Sequence, residues 1–164
     1  LKNSLFIDQN DIKNILDLNN LIESYSVYKQ FPSTLTIQIK KTELLANIYK
    51  DGANYLIGSN GKLIKTDNKN NKKPFIFGNF KNEEFLRLKN IFLKSEIDFK
   101  KIKKFYYFDS GRWDIEMENG LLIKLPKKNL IEAINLSKNL IINKKFENLR
   151  VIDMRVKNQV ILNE

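Results

Sequence analysis

The sequence predicts an α+β protein in which a mainly antiparallel β-sheet is flanked by helices. Alternating apolar and polar residues over 34–40 are typical of a half-buried antiparallel strand. Two hairpin signals, Gly-Ser-Asn-Gly at 58–61 and Asn-Gly at 119–120, each separate two short apolar runs. Apolar residues at helical spacing over 85–92 indicate that helices alternate with the strands.

The composition excludes several classes of chemistry. The 164 residues include no cysteine and no histidine, which removes thiol chemistry, histidine general-base catalysis and the usual zinc and iron–sulfur sites. No stretch approaches the ~18 apolar residues that a membrane-spanning helix needs. Because the chain begins at Leu1, we expect it to be processed or a fragment, with any targeting or anchoring segment upstream.

Residues 1–50 predict a small unit of mixed structure. The expected elements are a helix over 8–18, a strand over 22–29, a turn over 31–33, a strand over 34–40 and an extended stretch over 44–49. Asp8 is a candidate N-cap for the helix, and Ile7 and Ile12 are placed to form a hydrophobic staple. A unit of this size buries too little surface to be stable alone. We therefore expect a strand and a helix from upstream to complete it.

From residue 51 onward the pattern changes to short strands with two further helices. The expected elements are a hairpin over 55–64, a polar loop over 66–73, a strand over 74–77, a helix from 82, a strand over 102–108, a hairpin over 113–125, a helix over 127–141 and either two strands or one bent strand over 149–162. Asn82 is the expected N-cap of the first of these helices, because Glu83 and Glu84 come next in its first turn.

Acidic residues are the only serious catalytic candidates that this composition leaves. Asp114, Glu116 and Glu118 alternate with Trp113, Ile115 and Met117, so we expect the acids on the solvent face and the apolar residues in the core. A catalytic carboxylate pair needs burial or crowding to separate its pKa values, and a solvent face supplies neither. The sequence therefore favours a protein that is not an enzyme and holds no metal or cofactor.

The net charge of +10 raises the question of a polyanionic partner. Lysine, asparagine and isoleucine are over-used together, as an AT-rich genome would encode, and most lysines come in scattered pairs. Only Lys100, Lys101, Lys103 and Lys104 form a dense cluster, and no recognised nucleic-acid-reading module accompanies it. The charge pattern thus argues against nucleic-acid binding as the main role, and a basic nucleic-acid-binding module is kept as an alternative.

Asp153 and Arg155 lie two residues apart and project from one face of the predicted last strand. They form either a local ion pair, worth little if it is exposed, or a polar contact at an interface. The spacing alone leaves these two interpretations open.

Short motifs succeed one another along the chain in a particular order. In the C-terminal half they are Gly-Arg-Trp-Asp at 111–114, Asn-Gly at 119–120, Ile-Lys-Leu-Pro at 123–126 and Val-Ile-Asp-Met-Arg at 151–155. This series resembles the FtsQ/DivIB family of bacterial cell-division proteins. Residues 31–35 and Ala46 resemble the second half of the family's POTRA domain, and 56–64 and 74–78 resemble the segment directly after that domain. Lys41, Leu44 and Gly58 depart from the family's usual residues at the junction of the two parts.

The resemblance implies an N-terminally truncated POTRA domain over 1–50, followed by an FtsQ/DivIB-type C-terminal β domain over 51–164. It implies a non-enzymatic scaffold of the divisome that links early and late division proteins. The implied partners are FtsB and FtsL at the C-terminal sheet, and an FtsK-type early division protein at the POTRA part. The implied location is the bacterial inner membrane at the division septum, with a single membrane helix upstream and this segment in the periplasm.

The terminal strand is the predicted binding site. A strand at a sheet edge offers unpaired amides and carbonyls to which a partner strand can add. We expect this edge over 155–162, with arginines as anchors for acidic partner groups. The predicted partner-binding residues are Arg112, Arg155, Val156, Lys157, Asn158, Val160 and Leu162. A POTRA-containing secretion or outer-membrane assembly factor, which would also bind strands, is a second alternative.

Overall fold

The part of the chain that the structure describes is an α+β structure with two sheets. Its computed structural model describes residues 9–32, 34–67, 72–95, 97–143 and 148–163. The predicted N-cap Asp8, Ile7 of the predicted staple and the middle of the predicted polar loop lie outside these ranges. The elements are α1 (Gln9–Asp17), β1 (Ile22–Gln30), β2 (Thr34–Lys41), β3 (Leu44–Lys50), β4 (Ala53–Gly58), β5 (Leu63–Lys65), β6 (Phe75–Phe77), α2 (Asn82–Lys94), a 3₁₀ turn (Phe99–Lys101), β7 (Ile102–Phe108), β8 (Arg112–Met117), β9 (Leu122–Lys124), α3 (Leu130–Ile142), β10 (Val151–Asp153) and β11 (Ile161–Asn163).

Nine of the described strands form the large sheet, in the order β11-β10-β9-β8-β7-β6-β3-β4-β5. The sheet is mixed, because β6 pairs in parallel with both β3 and β7, and β9 pairs in parallel with β10. The other neighbours pair antiparallel. Parallel neighbours need a long crossover connection, and α2 and α3 supply two of these crossovers. The predicted α+β class with flanking helices is confirmed, and the sheet is mixed rather than purely antiparallel.

The strands β1 and β2 form a separate two-stranded hairpin. Their turn contains a cis peptide bond between Phe31 and Pro32. The half-buried strand predicted over 34–40 forms, but the burial predicted for its apolar face is wrong: Ile37 is 39% exposed and Ile39 is 50% exposed. In the described part of the chain this hairpin joins no larger sheet, which leaves its apolar face open to solvent.

The strand β3 lies in the nine-stranded sheet, although the sequence-based division at residue 50 placed it in the first unit. It pairs with β4 and β6, whereas the hairpin ends at Lys41. The change from hairpin to large sheet therefore comes at Thr42 and Glu43. The apolar pattern shows that residues 44–49 are extended, but it carries no information about which sheet they join.

Both α2 and α3 contribute to the core on one face of the large sheet. Phe85, Leu88 and Phe92 of α2 are buried, as predicted. Trp113 is also buried, with its ring centroid 4.7 Å from Tyr107 and 5.6 Å from Phe80. Phe85 of α2 joins this aromatic cluster, which holds that helix against β7 and β8 and leaves the opposite face of the two strands to polar residues.

The predicted N-cap of α2 is wrong by one residue, and the predicted start of α3 is wrong by three. The N-cap of α2 is Lys81, whose backbone N–H donates to the Glu84 carboxylate at 3.0 Å. Asn82 instead donates its side-chain amide to the Gly61 carbonyl at 2.8 Å. The third helix, α3, starts at Leu130 and not at 127, because Asn129 adopts a left-handed conformation (φ 58°) directly before it.

Candidate partner-binding surface

The strands β7, β8, β9 and β10 carry a row of polar side chains on the face opposite α2 and α3. The strand register places Asp114 between Tyr106 and Lys124, and Lys124 next to Asp153. A depression of about 560 Å³ lies on this face and is bordered by Tyr106, Phe108, Arg112 and Arg155. The sheet therefore presents arginines, aromatic rings and carboxylates together.

Asp114 lies in the middle of this row and is only 5% exposed. The prediction of a solvated side chain is wrong, because β8 is flanked by β7 and β9, and their side chains shield it. Burial raises the pKa of Asp114. The nearby cations Arg112, Arg155 and Lys124 act in the opposite direction, and Arg112 Nε lies 3.2 Å from Asp114 Oδ1.

Glu116 is also paired and not free. Its Oε2 accepts hydrogen bonds from Tyr106 Oη at 2.7 Å and Lys104 Nζ at 3.0 Å, and its Oε1 lies 3.4 Å from Lys103 Nζ. The hydrogen bond from Tyr106, followed by those from the lysines, lowers the pKa of Glu116. Of the three acids predicted on the solvent face, only Glu118 is exposed. Two lysines of the dense cluster, Lys103 and Lys104, are therefore paired with Glu116.

Arg112 and Arg155 are each held by a carboxylate. Arg155 Nε donates to Asp153 Oδ1 at 2.8 Å and to Oδ2 at 3.0 Å, and these bonds lower the pKa of Asp153. The local ion pair between these two residues is therefore present. Arg112 lies over the Phe108 ring, 4.4 Å from its centroid, while also bonding Asp114. Such anchoring fixes a guanidinium at low entropic cost and prepares it for a second acidic group.

The outer strand at this end of the sheet is β11, and its far side pairs with no strand in the described ranges. The predicted strand over 155–162 is wrong for most of its length. Val156, Lys157, Asn158 and Val160 lie in the loop between β10 and β11, where Asn158 has a positive φ of 60°. Leu162 does lie on β11, but its side chain packs against the core.

The loop over 154–160 and the start of α3 enclose a groove of about 740 Å³. Its apolar part includes Val156, Val160 and Leu136, each between 38% and 48% exposed. Its charged residues are Lys127, Lys128, Arg155 and Lys157 with Glu132 as the one acid. Four of the seven predicted residues thus lie beside Arg155 in one groove, and Arg155 also borders the depression on the sheet.

Sequence reasoning missed the residues that α3 contributes to this groove. The helical spacing predicts Leu130, Ile134, Ser137 and Ile141 on one buried face of the helix; Ile134 and Ser137 are buried, but the prediction is wrong for Ile141, which is 37% exposed. Leu136 lies off that stripe and is exposed, as is Ile131. An excess of apolar residues outside the core-facing stripe of a helix is the signal that could have pointed to the groove.

The buried polar side chains of the described residues are satisfied by hydrogen bonds. Every buried side-chain nitrogen and oxygen among them has a hydrogen-bond partner. Within the same ranges, no group of three acidic side chains is placed to hold a metal ion. None of the described helices combines the length and apolar character needed to cross a membrane.

By its fold and surface the chain is an α+β protein with a large mixed sheet, helices on one face and paired charges on the other. Residues 46–155 match the family model for the cell division protein FtsQ/DivIB, C-terminal. This match covers most of the chain, and the chain belongs to the FtsQ/DivIB family of cell-division proteins. The family resemblance inferred from the motif series is confirmed.

Two curated relatives agree with this assignment. The chain is 29% identical over 163 residues to the cell division protein FtsQ of Rickettsia bellii (strain RML369-C), a match that covers 93% of this chain and 58% of that protein. It is 26% identical over 117 residues to FtsQ of Rhizobium meliloti (strain 1021), covering 70% of this chain and 38% of that protein. The chain thus spans less than two thirds of the length of either relative.

Among solved structures, the chain is similar to the major extracytoplasmic domain of the trans isomer of the cell division protein DivIB from Geobacillus stearothermophilus. The TM-score is 0.43 at 12% sequence identity. The similarity covers 58% of this chain and 87% of that one. The family assignment rests on the sequence matches.

Proposed function

We propose that this chain is a non-enzymatic scaffold segment of the bacterial divisome that binds the FtsB–FtsL pair at the C-terminal end of its large sheet. The observation that carries the proposal is the groove between α3 and the loop over 154–160, which combines exposed apolar residues with cations beside the open edge of β11. Family membership supplies the cell-division context.

The chemistry of the groove favours an amphipathic, acidic segment as the occupant. Exposed Val156, Val160 and Leu136 offer apolar contact, and four cations face one acid around them. Apolar burial supplies most of the affinity of such contacts, whereas complementary charge favours the right partner and speeds encounter. Arg155 borders both the groove and the depression on the sheet, so one partner segment could contact both.

The edge of β11 favours a partner that is extended next to the groove. Backbone groups on the outer side of an edge strand can pair with an added strand. Because β11 has only three residues, strand addition alone would form few hydrogen bonds. We therefore propose that the groove side chains, including Val156, Lys157, Asn158 and Val160, contribute more to affinity than the edge does.

The remaining parts of the proposal extend beyond this surface. The N-terminal unit, proposed to be the second half of a POTRA domain, would contact an early division protein of the FtsK type. A single membrane helix upstream would hold the segment in the periplasm at the septum. A scaffold role is favoured over catalysis because Asp114 and Glu116 are engaged by arginine, lysine and tyrosine.

Calorimetry with the periplasmic segments of the same organism's FtsB and FtsL tests this proposal. The test variant is Val156→Lys with Val160→Lys, which places charge in the apolar part of the groove. The matched control is Tyr49→Lys with Leu93→Lys, two exposed residues outside it. We expect the wild type and the control to bind and the groove variant to lose binding.

Two outcomes would contradict the proposal in different ways. Equal binding by both variants would place the partner elsewhere. Absence of binding by the folded wild type would remove this partner from the chain, and binding to generic DNA at low salt would then support the nucleic-acid alternative.

A further inference from the structure

The turn at residues 58–61 touches the N-terminal hairpin unit at several points. We infer that this turn locks the α1–β1–β2 unit to the nine-stranded sheet, so that the two move as one rigid body and not about a hinge. The inference does not depend on the identity of any partner. It rests on a hydrogen-bond chain, on backbone capping across the junction and on the space around Gly58.

A continuous chain of hydrogen bonds crosses the junction in one direction. The Asn60 N–H donates to Thr42 Oγ1 at 3.2 Å. The Ser59 hydroxyl donates to Glu23 Oε2 at 2.6 Å, since an ionised carboxylate can only accept. Its one proton is thereby used, so Thr42 is the donor in the 3.1 Å contact between the two hydroxyls. The chain ends on a charge, which strengthens the bonds that lead to it.

Side-chain amides cap backbone groups in both directions across the same junction. Asn60 donates from its side-chain amide to the carbonyls of Asn20 at 3.0 Å and Ile22 at 2.9 Å. Asn20 returns the contact by donating to the Leu63 carbonyl at 2.8 Å. Lys62 Nζ donates to the Asp17 carbonyl at 2.8 Å, at the end of α1. These contacts fix the segment between α1 and β1 on the β4–β5 hairpin.

Position 58 requires glycine because neighbouring atoms leave no room for a Cβ atom, and not because of its backbone conformation. A Cβ atom built at Gly58 would lie 2.6 Å from both Asn60 Oδ1 and Thr42 Oγ1, although its φ is not in the left-handed region. Any side chain at position 58 therefore has to push apart the residues that form the lock. Because Thr42 is buried, it has little room to move away.

A rigid junction has a consequence for any scaffold role. The exposed apolar face of β1 and β2 and the groove beside α3 would be held at one separation and one orientation. Partners on the two surfaces would then be positioned relative to each other by the protein itself.

Double electron–electron resonance on the full chain tests the lock. The sequence contains no cysteine, so two introduced cysteines carry the only spin labels. Thr36→Cys on the hairpin and Glu118→Cys in the turn directly after β8 are both at exposed positions. We expect one narrow distance distribution for the labelled chain. Gly58→Ala, and separately Ser59→Ala with Asn60→Ala, should broaden or shift it.

Two controls separate loss of the lock from general damage. Gly52→Ala is strained by its positive φ of 79° but meets no atom within 4 Å, so it should leave the distribution narrow. A second label pair, Tyr49→Cys on β3 with Glu118→Cys in the turn after β8, does not involve the hairpin unit and should keep a narrow distribution in every variant. A broad distribution in the labelled wild type, or an unchanged one in Gly58→Ala, would overturn the inference.

Discussion

The guanidinium of Arg155 is held against the Asp153 carboxylate by two of its nitrogens, since Nε lies 2.8 Å from Oδ1 and 3.0 Å from Oδ2, and Nη2 donates to Oδ2. Asp153 is only 9% exposed, whereas the Arg155 side chain is 41% exposed. The aspartate is therefore satisfied inside the chain while part of the guanidinium faces solvent. The two interpretations that the sequence left open are therefore compatible. Arg155 forms the local ion pair, and the exposed part of its guanidinium is accessible to a partner.

Arg155→Ala should lower the free energy of unfolding in a pH-dependent way. The pKa of Asp153 is lowered in the folded state by Arg155. Its stabilisation is therefore present above the unfolded pKa of about 3.9 and lost as the pH falls through the lower folded pKa. Urea unfolding at several pH values should show the largest gap between wild type and variant near neutral pH. Arg150→Ala, an exposed arginine, is the control. A gap that does not change with pH would contradict the prediction.

The pKa values of Asp114 and Asp153 should be shifted in opposite directions from the ordinary value of an aspartate, although both residues are register neighbours of Lys124. Burial raises the pKa of Asp114, whereas Arg155 lowers that of Asp153. Carboxyl-carbon NMR should therefore find Asp114 protonated at a higher pH than Asp153. With a raised folded pKa, Asp114 adds stability as the pH falls through that value. The stability of Asp114→Asn relative to wild type should accordingly be highest at neutral pH. The reverse order of the two pKa values would contradict this interpretation of the site.

The sequence predicts those elements whose geometry depends on nearby residues. The Asn119-Gly120 turn and the alternation of Trp113, Ile115 and Met117 define a hairpin locally, and the structure places it as expected. Helix α2 is predicted for the same reason, because Phe85, Leu88 and Phe92 share one face at helical spacing. In each case the neighbours that decide the outcome lie within a few positions along the chain.

The features that sequence reasoning missed are set by residues far apart in the chain. The membership of β3 in the large sheet depends on β4 and β6, and the burial of Asp114 depends on β7 and β9. The groove joins α3 to a loop that comes more than a dozen residues later. An alternating pattern shows which side chains share a face, but not what covers that face. For this reason the predicted binding residues cluster in the structure, while the strand expected to carry them does not form over most of its length.

Truncating Phe85 should test the core that supports both helices. This side chain is fully buried, and its ring centroid lies 5.5 Å from that of Phe105. Phe85→Ala should lower the free energy of unfolding by about 3–5 kcal/mol, because the surrounding rings cannot fill the space that it leaves. Leu93→Ala, at an exposed position of the same helix, should change it by less than about 0.5 kcal/mol. Equal losses in chemical denaturation would show that α2 is not anchored through Phe85.

Reversing charges at the groove should slow the association of an acidic partner segment. Lys128→Glu with Lys157→Glu alters two groove residues, whereas Lys100→Glu with Lys101→Glu alters two exposed lysines outside it. Both double variants change the net charge by the same amount, so any difference between them reports position and not total charge. Stopped-flow measurements at rising salt should show a lower association rate and a weaker salt dependence for the groove variant alone, because complementary charge acts mainly on encounter. If both variants slow association equally, the overall charge of +10 accounts for the attraction, and the groove has no special role in it.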